Sequence, residues 1–127
     1  RILRQIHDRQ ETPWSDMCVT YRSSWMGEKL NQYLADEAVP CQWLGDQQAK
    51  KQFKPSGENV KLMTMHSCKG LEFPLMAVSG VGYMPGRHTE AAAEAKLLYV
   101  AMTRSTEKLL ITSHKETPFL KQLRSAD

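Results

Sequence analysis

Residues 60–81 read VKLMTMHSCKGLEFPLMAVSGV, two apolar runs on either side of a polar loop that contains a glycine. Val60 to Met65 predicts a β-strand. Val60, Leu62 and Thr64 share one face of it, because successive side chains alternate along extended backbone. Leu75 to Val81 predicts a second strand. His66 to Glu72 is then a loop or a short helical turn, and Gly82, Pro85 and Gly86 break the chain beyond.

Working outward, Met17 to Tyr21 (MCVTY) is another β-favouring run. Ser23 or Ser24 can cap the next helix, whose apolar face carries Met26, Leu30, Tyr33 and Leu34. Pro40 pushes Val39 out of helical geometry and predicts the stop, and Cys41 to Leu44 reads as a short strand. Residues 45–59 (GDQQAKKQFKPSGEN) are a polar connector. Thr89 can cap a helix from Glu90 to Thr103, with Glu90 and Glu94 near its positive end and Ala91, Ala95, Leu98 and Met102 as the buried stripe. Lys108 to Ser113 predicts a last strand and Pro118 to Leu123 a short closing helix. A weak lead-in helix with Ile2, Leu3 and Ile6 stops at Pro13, so residues 1–14 read as a lead-in and 15–127 as the domain. Strands alternating with helices predict an α/β fold, a mostly parallel sheet covered on both faces.

Composition fits that picture. The 127 residues suffice for one domain, and 41% hydrophobic with 24% charged residues is a globular balance. A net charge of +3 argues against a uniformly basic surface but leaves room for a local basic groove. Three cysteines, Cys18, Cys41 and Cys68, make no disulfide framework and suit a reducing, cytoplasmic setting. No apolar run reaches the ~18 residues that a membrane span requires, and no signal peptide opens the chain. With no initiator Met, the chain reads as a piece of a longer protein.

On residues alone the chemistry is thin. In parallel α/β sheets ligands bind beyond the carboxyl ends of strands, where Arg22 and the loop from Met65 to Glu72 fall. That loop has a His, a Lys, a Gly and a carboxylate, enough to meet phosphate, sugar or base, and equally an ordinary turn. Arg104 at a helix end reads first as a cation complementing the macrodipole, worth ~0.3–1 kcal/mol. Asp36-Glu37-Ala38-Val39 imitates the acidic motif of nucleotide hydrolases but ends an amphipathic helix. His66 and Cys68 lack zinc-site spacing, so no metal site is expected. Trp14, Trp25 and Trp43 could stack bases, though Trp25 and Trp43 read as packing in or beside the core. No Gly-x-x-x-x-Gly-Lys-Ser/Thr occurs, so the chain carries no phosphate-cradling P-loop of its own.

Two stretches together carry a resemblance. Residues 60–74, VKLMTMHSCKGLEFP, resemble motif V of the UvrD/Rep-like superfamily 1 DNA helicases, and residues 94–111, EAKLLYVAMTRSTEKLLI, resemble their motif VI. Residues 17–44 are similar, more loosely, to motif IV with the helix and strand after it. The likeness spans about residues 15–115. It implies the C-terminal RecA-like (2A) domain of an ATP-dependent 3′-to-5′ helicase, partnered by an N-terminal RecA-like domain that holds ATP and Mg2+, and by single-stranded DNA. It implies that Arg104 and Arg22 approach the γ-phosphate, Arg104 as an arginine finger. It further implies that Glu72 binds the ribose, that Gly70 keeps the loop near the nucleotide, and that Thr64 and His66 touch single-stranded DNA.

Two departures stand out. Only residues 45–59 occupy the place of the large 2B insertion found in many members, and Met84-Pro85-Gly86 stands where a Phe-Pro is common. The alternatives are a RecA-like module retained for docking nucleic acid or protein without catalysis, and a free-standing α/β binding protein. The fragment by itself is expected to be inactive.

Overall fold

The computed structural model describes residues 2–10, 12–44, 58–80 and 91–112. β1 (Met17–Tyr21) lies at the centre of a five-stranded sheet, and all five of its residues are buried. β3 (Val60–Thr64) and β4 (Phe73–Val78) flank it, with β2 (Cys41–Leu44) and β5 (Ser105–Ile111) outermost. The order is β2-β3-β1-β4-β5 and every pairing is parallel. The α/β, RecA-like three-layer arrangement expected from the sequence is present.

Alternation along the strands splits the core in two. Met17, Val19 and Tyr21 of β1, Val60 and Leu62 of β3, and Leu75 and Ala77 of β4 face one side. They pack against Leu3 of α1 (Ile2–Gln10), Trp14 of a short 3₁₀ turn, Met26 of α2 (Ser24–Asp36) and Val39. Cys18, Met63, Met76 and Val78 face the other side. There they meet Leu98 and Ala101 of α3 (Ala91–Met102) together with Met65 and Cys68 of the loop after β3. The lead-in segment therefore contributes to the core through Leu3 and Trp14. The Trp14 ring stacks on His7 with centroids 3.9 Å apart.

Several expectations shift by a few residues, each for a local reason. α2 ends at Asp36, before Pro40 can act. Ala38 takes φ 57° while its N–H donates to the Ala35 carbonyl and that of Val39 to the Leu34 carbonyl, a Schellman stop. Ser23 is the N-cap in extended geometry, but its side chain makes no capping bond. β4 begins at Phe73 rather than Leu75 because its register against β5 slips at Pro74, which cannot donate to a ladder. β5 correspondingly begins at Ser105 rather than Lys108. In α3 the buried positions are Glu94, Leu98 and Ala101, while Ala91 and Ala95 are exposed. Tyr33 is 61% exposed on α2. Trp25 and Trp43 are also largely exposed, and the buried tryptophan is Trp14. The predicted closing helix 118–123, most of the connector 45–59, Val81, Thr89 and Met84-Pro85-Gly86 lie outside the described residues. No helix among the described residues is long and apolar enough to cross a membrane.

Candidate functional site

Because every strand runs the same way, the sheet has two chemically distinct edges. β1 delivers Arg22 to its carboxyl end, and β3 delivers Thr64, followed by the loop 65–72. Thr64 starts that loop as a local cap: its Oγ1 accepts the Ser67 N–H at 3.1 Å and lies 2.9 Å from Ser67 Oγ. The Cys68 N–H donates to the Thr64 carbonyl, and the Cys68 thiol donates to the Met65 carbonyl at 3.0 Å. Tyr21 accepts the Met65 N–H through its carbonyl, tying the loop to β1. These bonds leave His66 and Lys69 exposed.

Across from the loop stands the first part of α3. Glu94 is only 3% exposed, yet it carries a carboxylate. Arg22 Nε donates to Glu94 Oε2 at 2.5 Å, joining the end of β1 to α3. Between loop and helix runs a groove of about 460 Å³, lined by Arg22, His66, Lys69 and Lys96 on its polar side, with Met65, Leu97 and Val100 on its apolar side. Sequence reasoning placed Glu94 at the positive end of the helix and missed its burial and its pairing with Arg22. Its signal is the helical spacing itself, four residues before Leu98 and seven before Ala101, which puts it on the buried face.

The opposite edge is where β4 and β5 begin. The Phe73 N–H donates to the Arg104 carbonyl at 2.9 Å, so Glu72, just before Phe73, lies beside the α3–β5 turn that carries Arg104. Glu72 is exposed. Gly70, two residues earlier, has φ +86°, and a Cβ there would meet nothing within 4 Å. Its glycine is needed for backbone handedness, not for room. Arg104 is half-buried. Its Nη2 lies 3.4 Å from Thr103 Oγ1, and its buried Nε has no hydrogen-bond partner among the described residues. Among the described residues no carboxylate pairs with it.

The structure thus divides the six candidate residues. Gly70, Glu72 and Arg104 belong to the segments leading into β4 and β5, whereas Thr64, His66 and Arg22 are at the strands' carboxyl ends. Arg22 and Arg104 do not meet. Glu94, which holds Arg22, stands eight residues before the end of α3 at Met102, about 12 Å along the helix axis, and Arg104 follows in the turn beyond. Burial pushes the Cys18 thiol well above its ordinary range and the Cys41 thiol up to about 11, which keeps both protonated at neutral pH. Among the described residues no three His, Cys, Asp or Glu side chains are grouped to hold a metal ion.

The model of the UvrD-like helicase C-terminal domain family matches residues 46–116, more than half of the chain. The chain belongs to that family. The match takes in β3, the loop, β4, α3 and β5, and leaves out β1 with Arg22. The ATP-dependent DNA helicase Rep of Salmonella typhimurium is 31% identical over 105 residues, covering 73% of this chain and 16% of that helicase. The ATP-dependent DNA helicase PcrA of Bacillus subtilis is 35% identical over 78 residues, covering 55% and 11%. This helicase domain therefore spans a sixth or less of the length of these curated relatives. Among solved structures, the C-terminal domain of a possible DNA helicase from Lactobacillus plantarum WCFS1 superposes with a TM-score of 0.72 at 19% identity. The superposition covers 98% of this chain and 72% of that one. At that identity the likeness establishes the fold.

Proposed function

We propose that this domain is the C-terminal half of an ATP-dependent DNA motor of 3′-to-5′ polarity, and that its two edges serve two ligands. The edge with Arg104 and Glu72 faces ATP held on an N-terminal RecA-like domain of the same protein. The edge with Thr64 and His66 faces single-stranded DNA, and Arg22 beside it is the second arginine directed at the γ-phosphate. Arg104 carries this reading. A guanidinium whose Nε is buried without a partner is costly to maintain, about 1–3 kcal/mol for an unmet buried donor, and that cost is relieved when an anion arrives from outside.

The residues fit a triphosphate rather than the cation bound with it. Arg104 supplies positive charge where negative charge gathers as the terminal phosphoryl group leaves, the contribution of an arginine finger. Glu72, an exposed carboxylate, can accept a hydrogen bond from a ribose hydroxyl, and Gly70 gives the loop the turn that brings Glu72 to this edge. Mg2+ would neutralise phosphate charge from ligands on the N-terminal domain. Arg22, held by Glu94 at the carboxyl end of β1, is the second cation for the γ-phosphate, and His66, Lys69 and Lys96 line the groove beside it. The lysines there would meet phosphodiesters, with a salt-dependent affinity. Thr64 shapes the loop through its hydroxyl and meets DNA by its position at the loop's start.

α3 and the loop 65–72 both connect the two edges, so a change in contacts at one edge alters the geometry offered at the other. The test is ATP hydrolysis by the full-length protein with and without oligo-dT, alongside displacement of duplexes bearing a 3′ or a 5′ single-stranded tail. Stimulation by oligo-dT and preference for the 3′ tail are expected. Hydrolysis indifferent to DNA would contradict the assignment of the second edge.

A further inference from the structure

We propose that the groove between the loop 65–72 and α3 seats one unpaired nucleotide of the DNA strand. Lys69 on the loop wall and Lys96 on the helix wall take the two phosphates that flank it, and its base lies on the apolar flank of α3. This rests on the reading of the carboxyl edge as the DNA side, and it gives ligand contacts to Lys69, Lys96, Leu97 and Val100.

Three observations carry it. First, the groove of about 460 Å³ has cations on both walls: His66 and Lys69 on the loop and Lys96 on the helix, all three exposed. Among the described residues neither lysine is engaged in an ion pair, so their charge is open to an incoming anion. Second, the helix wall has an apolar flank. Ala93, Leu97 and Val100 recur at spacings of four and three, and all of them line the groove. The core face of α3 is a different one, made of Glu94, Leu98 and Ala101, and Leu97 and Val100 are only half-buried. Third, the flank is short. Ala93 to Val100 is seven residues, about 10 Å along the helix axis. A cationic rim above an apolar floor matches what one nucleotide of a single strand presents, phosphates on the backbone and an open base face. A duplex keeps that face inside its stack. Arg22 reaches the same groove from the end of β1, held by Glu94 and directed at the γ-phosphate. The DNA seat therefore adjoins the cation that senses ATP without using it.

The experiment measures binding of the full-length protein to fluorescein-labelled oligo-dT across a series of salt concentrations, together with the KM for ATP and Tm. Lys69→Gln and Lys96→Gln should each weaken binding about fivefold at 0.1 M salt and reduce the slope of log K against log[salt] by roughly 0.7, the share of one phosphate contact on a single strand. The double variant should lose roughly 1.4 of slope, because the lysines meet separate phosphates. Lys96→Arg keeps the charge and should keep the slope. For the floor, Val100→Thr keeps the shape and adds a hydroxyl. It should narrow the preference for oligo-dT over an abasic strand of equal length by about threefold. The lysines are exposed, so their variants should keep the Tm of the unchanged protein. An unchanged slope in either lysine variant, or unchanged discrimination by Val100→Thr, would overturn the proposal. A raised KM for ATP with an unchanged slope would overturn it too, by putting the lysines on the triphosphate. Failure of the unchanged protein to bind oligo-dT would instead remove the DNA edge on which the proposal rests.

Discussion

Thr20 sits in the middle of the sheet with its Oγ1 buried and, among the described residues, without a hydrogen-bond partner. Threonine suits a strand by its branched shape, but this hydroxyl gave up water for nothing in return. Thr20→Val keeps the shape and removes the unmet group, so it should stabilise the domain by about 1 kcal/mol, read as a rise in the urea midpoint. An unchanged or lower midpoint would mean that the hydroxyl has a partner in solution. Cys41 gives a prediction of opposite sense. Its folded thiol is pushed up to about 11, mainly by burial, from an ordinary value of 9.0. A raised thiol pKa contributes stability that is full below pH 9 and is lost as pH climbs toward 11. The urea midpoint should therefore fall less steeply across that window in Cys41→Ala than in the unchanged chain; equal slopes would count against burial as the cause. At this scale the sequence was least legible. Glu94 and Arg22 are separated by 72 residues, and nothing local announces that a charged side chain will fill a core slot because a distant cation meets it there.

Elements were easier to read. β1 and β3 are continuous apolar runs, and their burial on both faces agrees with an interior place in a parallel sheet. Their ends were harder, because a strand stops where its neighbour stops and not where its own composition changes. Pro74 shows this: β4 starts one residue before it, and the register slip between β4 and β5 accommodates its missing donor. The buried face of α3 was misread because alanine is equally at home inside and outside, so Ala91 and Ala95 carried no orientation while Glu94 disguised the true stripe. The stop of α2 is similar. Pro40 was the visible signal, but the turn is made by Ala38 at φ 57°, with Arg4 of α1 donating to the Glu37 and Ala38 carbonyls. An L-residue with a Cβ is disfavoured there by roughly 1–2 kcal/mol. Ala38→Gly should raise stability by about 1 kcal/mol in chemical denaturation, with no change in the far-ultraviolet helical signal. A loss of stability would indicate that α2 does not end in this turn.

For the whole molecule, the fold was legible because motifs V and VI fall on the strands, loop and helix that build it. The distribution of roles was not, since sequence order says nothing of which edge a residue serves. The resemblance sends Arg22 and Arg104 to one phosphate; the structure puts Arg22 at the carboxyl end of β1 and Arg104 in the turn before β5, and sequence order alone does not say how the two would converge. On the proposed reading, α3 and the loop 65–72 bound both ligand sites, so a change of contact at one is passed along them to the other. The partner domain then needs only to close and open against the Arg104 edge. The most direct measurement is steady-state and single-turnover ATP hydrolysis by the full-length protein carrying Arg104→Ala, at saturating oligo-dT, with nucleotide affinity measured separately. The account predicts that turnover falls by ~10³-fold or more, as with arginine fingers elsewhere, while ATP affinity changes by less than about tenfold and DNA binding is kept. Turnover equal to that of the unchanged protein would contradict it.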